Sequence, residues 1–364
     1  MAYYYSSYPS FLTTGLEAKL KSLTPPAHGA EAATVSDVVP VASYSWIEGQ
    51  TPTIAVPSSP PIWKSSTSPS RVPQDRGLTY IDQNSKRMEG HGSSLLPIFI
   101  AVNKMDAAFD YSNVDIVSDR NNLRKLLRWV TGSVDKDFRI DVDIVGSTCL
   151  FTRCEEKTTE YVTEFRGFGH EYEKAATCVP EGSKGMTGHH RIITMDLGGL
   201  KVMMRFEVDA CLSVRGSSSK SSSLARQSKV KVISTPEESV VEQSSLIELK
   251  TRVAHKELDW ADVYPQLYLS QTAFLYLAKH TRGVFAPPEK YALTGSKLKA
   301  HTTRTENHIG KLRQALGQII KCVVAHKSAG GGGLFSLVCK DGQLGLYKRE
   351  GGTKLDEEII SKFA

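Results

Sequence analysis

Ten of the sixteen prolines in this 364-residue chain lie between Pro9 and Pro73. Proline fixes φ and removes a backbone donor, so a stretch such as PTIAVPSSPPIW forms neither a continuous helix nor an uninterrupted sheet ladder. Serine is dense in the same region, and residues 1–75 are therefore expected as an arm, partly extended or disordered. Tyr44, Trp46, Ile54, Val56 and Trp63 are large apolar groups within it. They argue that parts of the arm dock onto the body as extended segments. Residues 76–364 are expected as one domain, which their number permits.

Globular patterning begins near Leu78. LLPIFIAVNKM is an apolar run that periodicity alone does not assign. In VDIVSDRNNLRKLLRWVTG, Leu123, Leu126, Leu127 and Val130 share one helical face, with Asp119 placed as N-cap and Gly132 as the stop. RIDVDIVGSTCLFTR alternates as a strand. TEFRGFGHEYEKAATCV is read as a loop leading into a helix, and the run from His190 to Val214 as a hairpin turning at Gly198–Gly199. Residues 215–230 carry many serines and basic groups without an acid, and are expected as a flexible basic loop. QLYLSQTAFLYLAKH and residues 297–327 are expected as helices, and LFSLVCKDGQLGLYKRE as a hairpin turning at Asp341–Gly342. The expected class is α+β: a mixed, largely antiparallel sheet flanked by helices.

The charge balance, 45 basic against 39 acidic residues, gives a net +6, too little for a histone-like polycation but compatible with a local basic groove. No window is long and apolar enough for a membrane span, and no membrane role is expected. MAYYYSSYPSFL lacks the basic and apolar regions of a secretory signal. Six scattered cysteines without CxxC spacing read as reduced thiols, so the nucleus or cytoplasm is the expected compartment.

Two seven-residue segments carry the chemistry. RFEVDAC places Glu207 and Asp209 at i and i+2 of a strand, and LIELKTR does the same for Glu248 and Lys250. Such pairs point to one face. If the two strands are neighbours, three carboxylates and one ammonium converge among valines, leucines and isoleucines. The carboxylates then repel one another and resist desolvation. A hard divalent cation, Mg2+ or Mn2+, relieves that strain and suits phosphate chemistry. The lysine beside it orients the attacking water or balances phosphoryl charge. A solvent-facing row of alternating charges is the competing reading for each pair taken alone. In GFGHEYEKAATC, Glu173 falls on the expected helix close to glycines; Glu171 competes with it, but the two lie on different helix faces.

Taken in order, Gly169, Glu171, Tyr172 and Glu173, then Glu207 to Asp209, then Glu248 to Thr251, then a segment carrying Gln271, and then Arg282–Gly283–Val284 resemble the DXO-type decapping nucleases, enzymes of RNA 5′-end quality control. The core of that family is similar to the wider nucleases marked by an acid followed by (D/E)-x-K. The likeness spans residues 165–285, and the chain looks more like a divergent fungal branch, sometimes labelled geranylgeranyl pyrophosphate synthetase, than like the well-studied members. Prenyl synthases use two DDxxD motifs, and this chain has no Asp–Asp pair. The resemblance implies Glu173, Asp209, Glu248 and the main-chain carbonyl of Leu249 as metal ligands. It implies Glu207 as holder of a metal-bound water or of a second ion, and Lys250 and Gln271 as groups positioning phosphate and water. It further implies a metal-dependent hydrolase acting on the RNA 5′ end, cleaving pyrophosphate or phosphodiester bonds, with 5′-to-3′ degradation in some members.

The first motif of that family is an arginine from an upstream segment, for which Arg76, Arg87, Arg120 and Arg124 are candidates. His190 and Arg191 precede the acids and are read either as phosphate or base contacts or as a surface turn. Lys220, Arg226, Lys229 and Lys231 are suited to RNA phosphates, or to a solvated loop. Trp46 and Trp63 suit base stacking or the core. Two further functions stay open at this point: an inactive RNA-binding or scaffold protein of the same fold, and a DNA-acting nuclease of the superfamily.

Overall fold

Strands that are buried on both faces must be covered twice, and this requirement organises the molecule. The computed structural model describes residues 11–27, 31–65, 70–180, 183–212, 224–227, 229–235, 240–352 and 355–363. Among them a twelve-stranded sheet runs from Leu16–Leu23 at one edge through Gln343–Arg349, Leu334–Lys340, Phe138–Val145, Thr148–Cys154, Ile116–Asp119, Leu200–Glu207 and Met186–Leu197 to Val35–Ile47 and beyond. Most neighbours are antiparallel, but Ile116–Asp119 lies parallel to both of its partners. Helices Arg120–Val130 and Lys299–Ser328 pack their leucines and isoleucines against one face. Helix Leu96–Met105 and the C-terminal Ile359 and Phe363 cover the other. The class is thus α+β with a mixed, largely antiparallel sheet flanked by helices, as expected.

A second sheet holds Leu246–Val253 and Phe274–Thr281 in parallel, joined by helix Trp260–Ser270. Parallel strands need such a crossover. The sequence QLYLSQTAFLYLAKH was expected as one helix, and here the structure differs. The helix stops at Ser270 because Gln271 takes a left-handed conformation, φ 48°, and the following apolar residues form the buried strand. A continuous apolar run is compatible with a buried strand or a buried helix, which is why periodicity misled. RIDVDIVGSTCLFTR, expected as one strand, is a hairpin folded at Gly146, φ 58°. The expected hairpins at Gly198–Gly199 and Asp341–Gly342 are both present.

The proline-rich segment is woven into both sheets. Val35–Ile47 pairs along most of Met186–Leu197, and Pro40 sits at a break in that register, where its missing N–H leaves no ladder gap. Tyr44, Trp46, Ile54 and Val56 are fully buried, and Trp63 nearly so, so both tryptophans are core groups and do not present a stacking face. Residues 1–10, 28–30 and 66–69 of the expected arm lie outside the described residues. So do 215–223 and 228 of the expected basic loop, Lys220 included, whereas 224–227 and Val230–Ser234 form a strand pair. The described cysteines are all free thiols, and no described helix is long and apolar enough to cross a membrane.

Candidate active site

The E-V-D segment lies where the chain passes from one sheet to the other. Leu200–Glu207 ends the run in the large sheet, Val208 donates its N–H to His189 O at 2.9 Å, and Ala210–Cys211 then pairs with Ile247 and Leu246 of the second sheet. That pairing sets Asp209 beside Glu248, and Asp209 Oδ2 accepts the Leu249 N–H at 2.7 Å. The two acid-bearing segments are neighbours, as the convergence argument requires.

Glu248 is the hub. Its side chain is buried, 2% exposed, on the same strand face as Lys250, whose Nζ donates to Oε1 at 2.5 Å. Gln266 also donates to Oε1. Arg120 Nη1 donates to Oε2 at 3.2 Å and to Ser270 Oγ at 3.0 Å, and its guanidinium lies 5.3 Å from the centre of the Phe206 ring. Burial alone would raise the Glu248 carboxyl, but Lys250 and Arg120 outweigh it and hold it down at about 2. The other acids go the opposite way. Burial, with Glu248 beside it, raises Asp209 to about 7 against the pull of Lys250. Burial, Asp209 and Glu207 raise Glu173 to about 9. Glu207 is reached by solvent but crowded by protein, and that desolvation raises it while Arg120 pulls it down.

Glu173 reaches the cluster from helix Gly169–Ala176. Gly169 opens the helix against the strand of Glu248: a Cβ there would make an ordinary van der Waals contact with Thr251 Oγ1 at 3.5 Å. Tyr172, one residue before, is buried against Phe285 with ring centres 4.3 Å apart and fixes the helix rotation. Asp75 Oδ1 accepts the Glu171 N–H at 3.0 Å, so Glu171 belongs to the helix entry while Glu173 faces the acids.

The remaining expected site residues are placed elsewhere. Gln271 does not join the cluster: it is the left-handed cap of its helix, and its side chain donates to its own helix at Tyr268 O, 2.6 Å. Gln266, one and a half turns earlier, takes the place beside Glu248. The available signal was a glutamine on the same helical face as Val263, Leu267 and Ser270, an expensive place for an amide without a partner. Arg124 pairs with Asp262 at 3.1 Å, not with the acids, and Arg128 joins it there. His190 and Arg191 are buried, which removes the surface-turn and substrate-contact readings alike. His190 stacks on Tyr44 at 4.9 Å and bonds to Asn84 at 3.0 Å, while Arg191 Nη2 donates to Val241 O at 2.7 Å. Asp119 occupies the cap position of its helix but its carboxylate serves Arg205 instead, at 2.6 and 2.8 Å.

Among the described residues no three His, Cys, Asp or Glu side chains stand close enough together to form a ready-made metal site. The donor set nevertheless fits a hard cation in its chemistry. Glu173, Asp209 and Glu248 are oxygen donors that raise one another or compete for the same counter-charge. As the side chains stand, Lys250 and Arg120 supply that counter-charge to Glu248.

Residues 24–334 match the family model described as Domain of unknown function (DUF8563). The chain belongs to that family. No curated protein matches the sequence of this DUF8563 member. Its fold is similar to that of solved fungal proteins. A triple-substituted S. pombe Rai1 in complex with 3′-FADP is 12% identical with a TM-score of 0.58, covering 90% of this chain and 96% of that one. Scheffersomyces stipitis Rai1 with (3′-NADP)+ and calcium ion is 13% identical, TM-score 0.58, covering 95% and 98%. Candida albicans Rai1 in complex with pU5-Mn2+ is 12% identical, TM-score 0.54, covering 93% and 99%. The expected resemblance to the DXO-type decapping nucleases is therefore one of fold across most of the DUF8563 chain.

Proposed function

We propose that this protein hydrolyses RNA 5′ ends with a divalent metal, as a decapping or pyrophosphohydrolase enzyme. The observation that carries the reading is the buried Glu248 and its partners: Lys250 and Gln266 on one oxygen, Arg120 on the other, and Asp209 locked to the next backbone N–H. A buried charge held by several partners is expensive to assemble, and phosphoryl chemistry gives it a use. The fold supports the reading too, since a relative with it is described in complex with pU5-Mn2+.

Glu173, Asp209, Glu248 and the Leu249 carbonyl would hold the metal, which supplies a Lewis acid that activates water and offsets phosphoryl charge. Lys250 moves between Glu248 and an incoming phosphate oxygen, keeping a positive charge in a half-buried place throughout. Gln266 holds Glu248 Oε1 through its N–H, and Arg120, anchored to Ser270, holds Oε2. These contacts fix the carboxylate plane before substrate arrives.

A second reading has one observation in its favour. Both Glu248 oxygens already have cationic partners, as in a protein that has replaced a metal with internal cations and retains RNA binding alone. Purified protein with 5′-labelled RNAs and Mn2+, compared with Glu248→Ala, separates the two. Release of labelled 5′ product by the wild type and its loss in the variant is the expected result. Equal trace release by both would sink the enzyme reading, and cleavage of DNA in preference to RNA would move the substrate class.

A further inference from the structure

The two-stranded ribbon of Gly77–Tyr80 and Thr159–Val162 is tied to the acidic cluster at both ends. At one end Asp75 bonds the Glu171 N–H at 3.0 Å and its own N–H reaches Gly167 O at 3.0 Å, joining the ribbon to the helix of Glu173. At the other, Asp82 lies 3.7 Å from Arg153, whose charge acts on Glu207. Three chain steps lead from Asp75 to Leu78, at most about 10 Å of extended chain. The ribbon thus forms a wall beside the site.

One face of it points inward through Val162. The opposite face is apolar and open. Leu78 and Tyr161 are direct cross-strand partners, and Tyr80 shares their face two residues on. Leu78 is 58%, Tyr80 38% and Tyr161 70% exposed, and Phe165, three residues beyond the ribbon, is 62% exposed. Phe165 packs edge-on to Phe168, the residue that precedes the helix of Glu173, with ring centres 5.6 Å apart. Cations accompany these rings: the Arg87 guanidinium lies 5.6 Å from the Tyr80 ring centre, and Arg76 is exposed where the ribbon begins. Glu160 points to the other face and pairs with Arg166. Exposed aromatic faces interleaved with arginine, continuous with a site for a phosphorylated end, have the chemistry of a single-stranded nucleic acid track: bases stack on the rings and phosphates meet the guanidinium groups.

We propose that this face, Leu78, Tyr80, Tyr161 and Phe165 with Arg76 and Arg87, is a stacking platform for the RNA strand that trails from a 5′ end held at Glu173, Asp209 and Glu248. The inference rests on the proposed function and adds a binding surface to it. It makes the affinity for RNA depend on length beyond the first nucleotide.

The test uses the full chain with a 5′-phosphorylated, 3′-fluorescent pentauridylate and the matching mononucleotide, read by fluorescence anisotropy with Ca2+ in place of Mn2+. The readout is the ratio of the two affinities. Tyr80→Ala and Tyr161→Ala should each lower that ratio about fivefold or more, the lower end of what a stacked base contributes. Tyr161→Trp, which keeps a π-face, should preserve it. A ratio unchanged in both alanine variants overturns the platform, as does an equal loss in the alanine and tryptophan variants. An alanine variant that binds RNA normally but loses a bound protein would assign the face to a protein partner instead. Failure of the nuclease reading is seen separately: wild type that leaves RNA intact with Mn2+ yet keeps the length ratio retains the platform and loses the enzyme.

Discussion

Removing Asp119 tests how the site is braced from behind. Arg205 is 1% exposed, and its guanidinium donates to both Asp119 oxygens at 2.6 and 2.8 Å, to the Tyr44 hydroxyl at 3.0 Å and to Ser94 O at 2.8 Å. Asp119→Ala leaves the charge buried with two neutral acceptors. Stranding one partner of a buried pair costs about 3–5 kcal/mol, and the surviving acceptors place this case near 3, roughly two decades in the folding constant. Urea unfolding followed by tryptophan fluorescence reads the change as a lower midpoint at unchanged slope. The charge argument makes a sharper demand on the double variant Asp119→Leu with Arg205→Met. With both charges gone, it should be more stable than Asp119→Ala by about 1 kcal/mol or more, since apolar replacement of a whole pair is often neutral. A cost below about 1 kcal/mol for Asp119→Ala would refute the reasoning, as would a double variant as unstable as the sum of its parts.

Three further outcomes are expected. Gln266→Ala should lower the hydrolysis rate at least about tenfold, the scale of a lost positioning contact, whereas Gln271→Ala should leave it within about twofold; steady-state rates on a 5′-labelled RNA decide between the two glutamines. Asp209 at about 7 and Glu173 at about 9 are raised in the folded protein, so they hold protons that the unfolded chain releases, and the metal-free protein should lose stability as pH rises from about 5 to 9. Mn2+ held there, as proposed, would expel those protons, so it should raise the melting temperature more at pH 8 than at pH 6, and an equal rise at both would contradict the shifts. A Cβ on Gly310 would meet Glu31 O at 1.9 Å, while one on Gly317 meets nothing within 4 Å; Gly310→Ala should therefore destabilise and Gly317→Ala stabilise by about 0.5–1 kcal/mol in thermal unfolding.

The elements that could be read in the sequence are those whose signals are local. Asp341–Gly342 and Gly198–Gly199 specify their turns by positive φ, and the leucine stripe of Arg120–Val130 needs only its own period. The E-V-D and E-L-K segments were legible for the same reason: acids in apolar strands stand out without knowledge of what they face. What the sequence withheld was set by distant partners. Phe274–Thr281 is a strand because a parallel neighbour at Leu246–Val253 takes its hydrogen bonds, and nothing within the run says so. Asp119 looks like a cap and is a counter-ion because Arg205, 86 positions away, arrives beside it. Gln266 differs from Gln271 only in which of them meets Glu248 once the helix has stopped at Ser270.

The position of the acids at a seam between sheets follows from their electrostatics. Inside one continuous sheet, Glu207 and Asp209 would share a face and repel at close range. At the seam Val208 is tied back to His189, and Asp209 turns to the Leu249 N–H of the second sheet. Glu173 comes from a helix and Glu248 from a strand, so each carboxylate is delivered by a different element and carries a different local counter-charge. The result is graded protonation: Glu248 stays ionised under Lys250 and Arg120, Asp209 titrates near neutrality, and Glu173 holds its proton longest. A dication held by this set, as proposed, would displace the protons of its two weaker acids, and the fixed charge on Glu248 would attract it.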